Sequence, residues 1–115
     1  MALPRQLRFR SRRDIRAVLQ HGERFRTDLG RVAWRRAKDE SGRLLFVVGR
    51  AVSRKSVVRH RIQRELDGQA GRYFAERPSR RDAVIIVDPG AANLTRRLLR
   101  QSAREAIRRL EARRS

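Results

Sequence analysis

The run richest in chemistry in this sequence is Arg54-Lys55-Ser56-Val57-Val58-Arg59-His60-Arg61-Ile62-Gln63-Arg64. At about 100° per residue, a helix through it gathers Val58, Ile62, Leu66 and Tyr73 into one quadrant. His60, Arg61 and Arg64 then fall on the far side, with Arg59 at the edge of the apolar stripe. One side anchors the helix while the other presents guanidinium forks and an imidazole, groups suited to the phosphates and sugar edges of folded RNA. An ordinary solvated helix face is the blander reading. Few carboxylates lie nearby to pair with these arginines, which weighs against it.

Other chemistries find less support. Metal-dependent hydrolysis needs two or more carboxylates converging on an ion. Here the acidic residues are scattered, and the adjacent pair Asp39-Glu40 falls in turn chemistry. His21 reads as the close of a helix, where an imidazole favours the terminal carbonyls. Gly90 is followed by Ala91-Ala92, and Gly68 to Gly71 lies inside a poor helix, so neither forms a glycine-rich phosphate loop. With no cysteine there is no disulfide, thiolate catalysis or cysteine-bound zinc. We expect no catalytic residue, no metal site and no small-molecule substrate in this chain.

Charge points to the partner. Among 115 residues, 31 are Lys or Arg and 12 are Asp or Glu, a formal charge of +19. That density costs self-repulsion unless a polyanion lies alongside. All basic residues but Lys38 and Lys55 are arginine. The bias suits phosphate recognition, although GC-rich coding alone produces it too. The 39% hydrophobic residues come in ordered runs, as one folded domain over 1–115 requires. No apolar stretch is long enough for a membrane, and Met1-Ala2-Leu3-Pro4-Arg5 lacks a secretory core, so a cytoplasmic location is expected.

The elements that must position these residues follow from periodicity. Residues 1–10 look like an extended, flexible basic arm. Ser11-x-x-Asp14 resembles a capping box and opens a helix over about 12–21, with Ile15, Val18 and Leu19 at helical spacing. Val32 and Trp34 alternate with arginines in a strand over about 30–37. Leu44 to Val48 is a second strand, expected to pair with the first as a hairpin across Lys38-Asp39-Glu40-Ser41-Gly42. A further strand near 23–29 is possible. The arginine helix runs from about Val57 to Tyr73-Phe74, with Gly68 and Gly71 as weak points where it frays or breaks. Ala83 to Val87, apolar throughout, is a central strand. Asn93 or Thr95 caps a last helix carrying Leu94, Leu98, Leu99, Ile107 and Leu110; packing on the sheet explains these without a membrane or partner contact. The fold class is α/β (α+β), two-layer, with helices packed on a small sheet.

Arg59-His60-Arg61 with Arg64 resembles the arginine-asparagine-arginine signature of the protein subunit of bacterial ribonuclease P. The likeness extends through Arg8-Phe9, Asp14-Ile15, Val18-Leu19 and His21-Gly22, then Arg43 to Val52, and Asp82 to Thr95 with Pro89-Gly90-Ala91-Ala92 and Leu94. It departs at His60 for asparagine, at Gln63 for lysine, and at Gly49-Arg50 for serine-lysine. Asp67-Gly68 replaces basic helix, Ile15 and Leu19 stand where phenylalanines are frequent, and Asp88 stands for a common arginine. The loop around Ser53 to Lys55 is one residue longer and lacks a typical glycine.

The resemblance implies a ribosomal-protein-S5-like domain with a four-stranded sheet and a left-handed crossover. It implies a ribonucleoprotein endonuclease in which the RNA subunit performs the hydrolysis with magnesium ions, none held by the protein alone, and one protein serves each RNA. Arg50, Arg54, Lys55, Arg59, His60, Arg61 and Arg64 would bind that RNA subunit. A cleft between the sheet and the first helix would hold the 5′ leader of precursor tRNA. Arg8, Phe9, Arg12 and Arg16 would serve it, with Ile15, Leu19, Trp34 and Phe46 facing the cleft. For Trp34 and Phe46 core packing is the default reading, and a stacking surface the functional one if their strand faces border the cleft. The alternatives are a structural or ribosome-associated RNA-binding protein without a part in cleavage, and an independent nuclease.

Overall fold

The computed structural model describes residues 3–39 and 41–113. Glu40 of the Asp39-Glu40 pair, Met1-Ala2 and the terminal Arg114-Ser115 lie outside them. Helix α1 spans Arg12–His21, strands β1 to β3 span Glu23–Arg26, Gly30–Arg36 and Leu44–Val47, helix α2 spans Ser56–Tyr73, strand β4 spans Arg81–Val87 and helix α3 spans Arg96–Glu111. The Ser11 hydroxyl accepts from the Asp14 backbone N–H at 3.3 Å, and that of Thr95 from Leu98 at 3.2 Å, so both helices start at side-chain caps. Gly22 ends α1 where a Cβ would collide with the carbonyl oxygens of Val18 and Trp34; its bareness lets the helix end lie on β2.

The sheet order is β1-β2-β4-β3. β4 is central, as its apolar run Ala83 to Val87 demands. The expected hairpin between 30–37 and 44–48 does not form: β2 pairs antiparallel with β1 and β4, and β3 pairs parallel with β4. The hairpin partner of β2 is the segment at 23–26, whose alternation is short and diluted by charge. α2 is the crossover that a parallel β3–β4 pair requires.

Two apolar clusters sit on opposite faces of the sheet. The larger joins Val32, Trp34, Leu44, Phe46 and Ile85 to Ile62, Leu66 and Ala70 of α2 and to Leu99, Ala103, Ile107 and Leu110 of α3. The smaller joins Val18 of α1 to Ala33 and Val84. The two-layer packing of α2 and α3 on the sheet is thus as expected, and α1 adds a partial cover on the other face. Residues 3–10 are not a free arm. Leu3 and Leu7 are buried in the larger cluster, and Arg8 Nε donates to the Leu3 carbonyl at 2.7 Å. Each buried leucine contributes about 1.5–3 kcal/mol, enough to hold a short basic segment down. α2 also runs unbroken through Gly68 and Gly71, because the neighbouring Leu66, Gln69 and Ala70 are buried and Pro4 packs on Gly71.

Candidate nucleic-acid interface

The basic run forms the loop after β3 and the first turns of α2. Buried Ile62 and Leu66 seat the helix, and exposed His60, Arg61 and Arg64 project on its other side. Among the described residues no ion pair involves Arg50, Arg54, Lys55, Arg59, Arg61 or Arg64. Arg50, Arg54 and Lys55 are exposed in the preceding loop, which buried Val52 pins down. Arg59 stands apart. It is half-buried, and its Nη1 donates to the carbonyls of Ser53 at 2.9 Å and Arg54 at 3.0 Å. It locks the loop that carries the other cations onto α2.

Between α2 and α3 lies a groove of about 550 Å³, lined by Ser56, Val57, His60, Arg61, Arg64, Glu65 and Arg96. Glu65 is spoken for. Arg100 Nε donates to it at 2.6 Å, and Arg96 stands 3.6 Å away. The hydrogen bond from Arg100 holds the Glu65 carboxyl below its ordinary range. This carboxylate therefore fastens the two helices together and leaves Arg61 and Arg64 unneutralised.

On the opposite face α1 covers the sheet only in part. Phe9, Ile15 and Leu19 are half-buried and pack with Leu45, Val47 and Ile86 around Val18. Beside Leu19 opens a cavity of about 390 Å³, lined also by Ala33 and Ile86 and by Arg24, Arg26 and Arg31. Arg8, Arg12 and Arg16 are exposed. An apolar floor with a guanidinium rim suits an unpaired nucleotide strand, whose bases seek a flat apolar contact while its phosphates seek charge.

Trp34 and Phe46 do not belong to this cleft. They are 2% and 1% exposed and point to the α2–α3 side, in register with Ala83 and Ile85. Strand alternation puts Ala33 and Leu45, not their aromatic neighbours, on the α1 face. Sequence reasoning also passed over Arg24, Arg26 and Arg31. The alternation Arg24-Phe25-Arg26 facing Arg31-Val32-Ala33 was the available signal, legible once β1 is paired with β2.

Comparison with known proteins bears on this arrangement. The family described as Ribonuclease P matches residues 3–111. The Ribonuclease P protein component of Synechocystis sp. is 35% identical over 91 residues, covering 77% of this chain and 73% of its own length. Among solved structures, the Staphylococcus aureus RNase P protein superposes with a TM-score of 0.79 at 16% identity, over 90% of this chain and 94% of its own. The RNase P protein from Thermotoga maritima gives a TM-score of 0.75 at 22% identity, over 89% and 96%. The two structures share the fold; the family match runs over nearly all the described residues, through both the arginine helix and the strands beneath α1. On that evidence this chain belongs to the ribonuclease P protein component family.

Proposed function

We propose that this protein is the cofactor of a ribonuclease P whose RNA subunit cuts precursor tRNA. The face of α2 binds that RNA subunit, and the cleft beneath α1 receives the single-stranded 5′ leader. The observation that carries this reading is the exposed row His60, Arg61 and Arg64, held rigid by Ile62 and Leu66 and free of carboxylate partners among the described residues. Ile62 and Leu66 fix the backbone from which these side chains project, and the planar guanidinium loses less freedom per hydrogen bond to phosphate than a lysine does. Two RNAs brought together repel, and a +19 domain between them offsets that repulsion.

The chain's role is to neutralise and align. The magnesium ions of the reaction are assigned to the RNA and its substrate. No step is routed through a protein side chain. Leu19 lines the cleft and Ile15 packs around Val18 on the same face, as aliphatic side chains where base stacking on a ring would contribute about 1–3 kcal/mol per base. Leader contact therefore leans on Phe9 and on the arginine rim. The chain works in the cytoplasm, one copy per RNA.

Reconstitution tests the reading. The protein is mixed with the cognate ribonuclease P RNA at low magnesium, and the release of the 5′ leader from precursor tRNA is followed. Faster cleavage than by the RNA alone is expected. No gain rejects the cofactor role in favour of an RNA binder outside cleavage, and leader release by the protein alone would point to an independent nuclease.

A further inference from the structure

Helix α3 carries more charge than its place in the core explains. Its buried side is Leu99, Ala103, Ala106, Ile107 and Leu110. At about 100° per residue, the opposite side holds Arg97, Arg104 and Arg108 within an arc of about 40°, spread along about 16 Å of the axis. All three are exposed. Like charges four residues apart, as at Arg104 and Arg108, weaken a helix, so this pair works against the element that bears it.

Of this row, the carboxylates nearby relieve Arg108 alone. Glu65 is taken by Arg96 and Arg100. Glu111 turns inward to Arg81 at 3.3 Å and Ser79 at 3.4 Å. Glu105 pairs with Arg108 alone, at 2.5 Å. Arg97 and Arg104 have no carboxylate among the described ion pairs. Arg96, at the head of α3, lines the same groove as Arg61 and Arg64, and the outer row begins at the next residue, about 100° further round the helix. The apolar side of α3 is spent on the core, which leaves no large apolar face for a lipid surface.

We propose that the outer row of α3, Arg97 and Arg104 with Arg108, is a second phosphate-binding surface. It grips a strand of the same RNA neighbouring the one on α2, so that both helices hold one RNA across the groove. This rests on the RNA-binding reading of α2, and the test separates the two.

Binding of the full-length protein to the cognate ribonuclease P RNA is measured against salt for three proteins: wild type, Arg97→Ala/Arg104→Ala, and Arg61→Ala/Arg64→Ala. Thermal melts verify folding, which these exposed positions leave intact. Each double variant is expected to lose at least tenfold in affinity and to lower the log–log salt slope by about 1.4 to 1.8, the value for two phosphate contacts. The variant Arg97→Lys/Arg104→Lys should retain most of the slope. If the α3 variant keeps the wild-type slope while the α2 variant loses it, the second surface is overturned and the α2 reading stands. If neither loses it, both fall. If only the α3 variant loses it, α3 binds RNA and the reading of α2 is wrong.

Discussion

Arg35 of β2 donates from Nε to the carboxylate of Asp82, its register partner on β4, at 2.9 Å. Asp82 is 5% exposed and also accepts the Arg43 backbone N–H at 3.0 Å, while Arg35 reaches Asp14 of α1 at 3.6 Å. One guanidinium thus ties α1 to the centre of the sheet, on the face where the cleft opens. Asp82→Asn keeps the shape and removes the charge. The substitution is expected to cost about 2–3 kcal/mol, because a largely buried guanidinium loses its close counter-charge. Urea unfolding checks this; an unchanged midpoint would contradict it.

A second pair across the sheet predicts the reverse balance. Arg26 and Asp88 meet at 2.5 Å, with side chains 62% and 32% exposed. At that exposure the pair adds at most about 1 kcal/mol to stability. It does, however, occupy one of the three arginines beside the cleft. Asp88→Asn should leave the melting temperature nearly unchanged and tighten precursor tRNA binding several-fold, with a salt slope steeper by up to about 1. Weaker binding would mean that the pair positions Arg26 for the substrate.

The limits of sequence reading here are local and physical. The face of α2 was legible because a helix places Ile62 and Leu66 opposite His60 and Arg64 wherever the helix packs. The boundaries of α1 were legible from Ser11 and Gly22, which act through their own backbone neighbours. Strand pairing was not, since β3 and β4 meet across the whole of α2 and nothing in Leu44 to Val47 says which neighbour it takes. Trp34 and Phe46 were misassigned for a related reason. An aromatic in a strand is equally suited to a core or to a stacking surface, and only the placement of helices on each face decides. Leu3 and Leu7 looked like stray apolar residues in a basic arm until the patch they cover existed.

Acid titration of stability should separate three carboxylates. Burial pushes the Glu111 carboxyl above its ordinary value despite Arg81 beside it, and burial does the same to Asp67 against the hydrogen bond from Gln63. A raised carboxyl binds its proton more tightly in the folded chain, so its stabilising contribution is present at low pH and lost as pH rises through the folded value. Glu65, held down by Arg100, behaves oppositely: its contribution is present above the ordinary value and lost as pH falls through the lowered one. Relative to wild type, Glu111→Gln should therefore gain stability as pH rises from about 4.3 toward 7. Glu65→Gln should show a deficit at pH 7 that shrinks in acid. Melting curves at pH 3.5, 5 and 7 check both, and parallel profiles for all three proteins would count against this account.

Arg59 and Arg61 lie two residues apart in the same motif, yet their substitutions should fail differently. Arg61 is exposed and free of ion pairs among the described residues, so Arg61→Ala should weaken RNA binding by about 1–3 kcal/mol and leave the melting temperature alone. Arg59 gives its guanidinium to the carbonyls of Ser53 and Arg54. Arg59→Ala should cost about 1–2 kcal/mol of stability through those two bonds. It should also weaken RNA binding indirectly, because Arg54 and Lys55 ride on the loop that it fastens. Paired melting and binding measurements on the two variants distinguish them. If Arg59→Ala melts like wild type and loses only affinity, its guanidinium meets phosphate directly and the loop is held by Val52 alone.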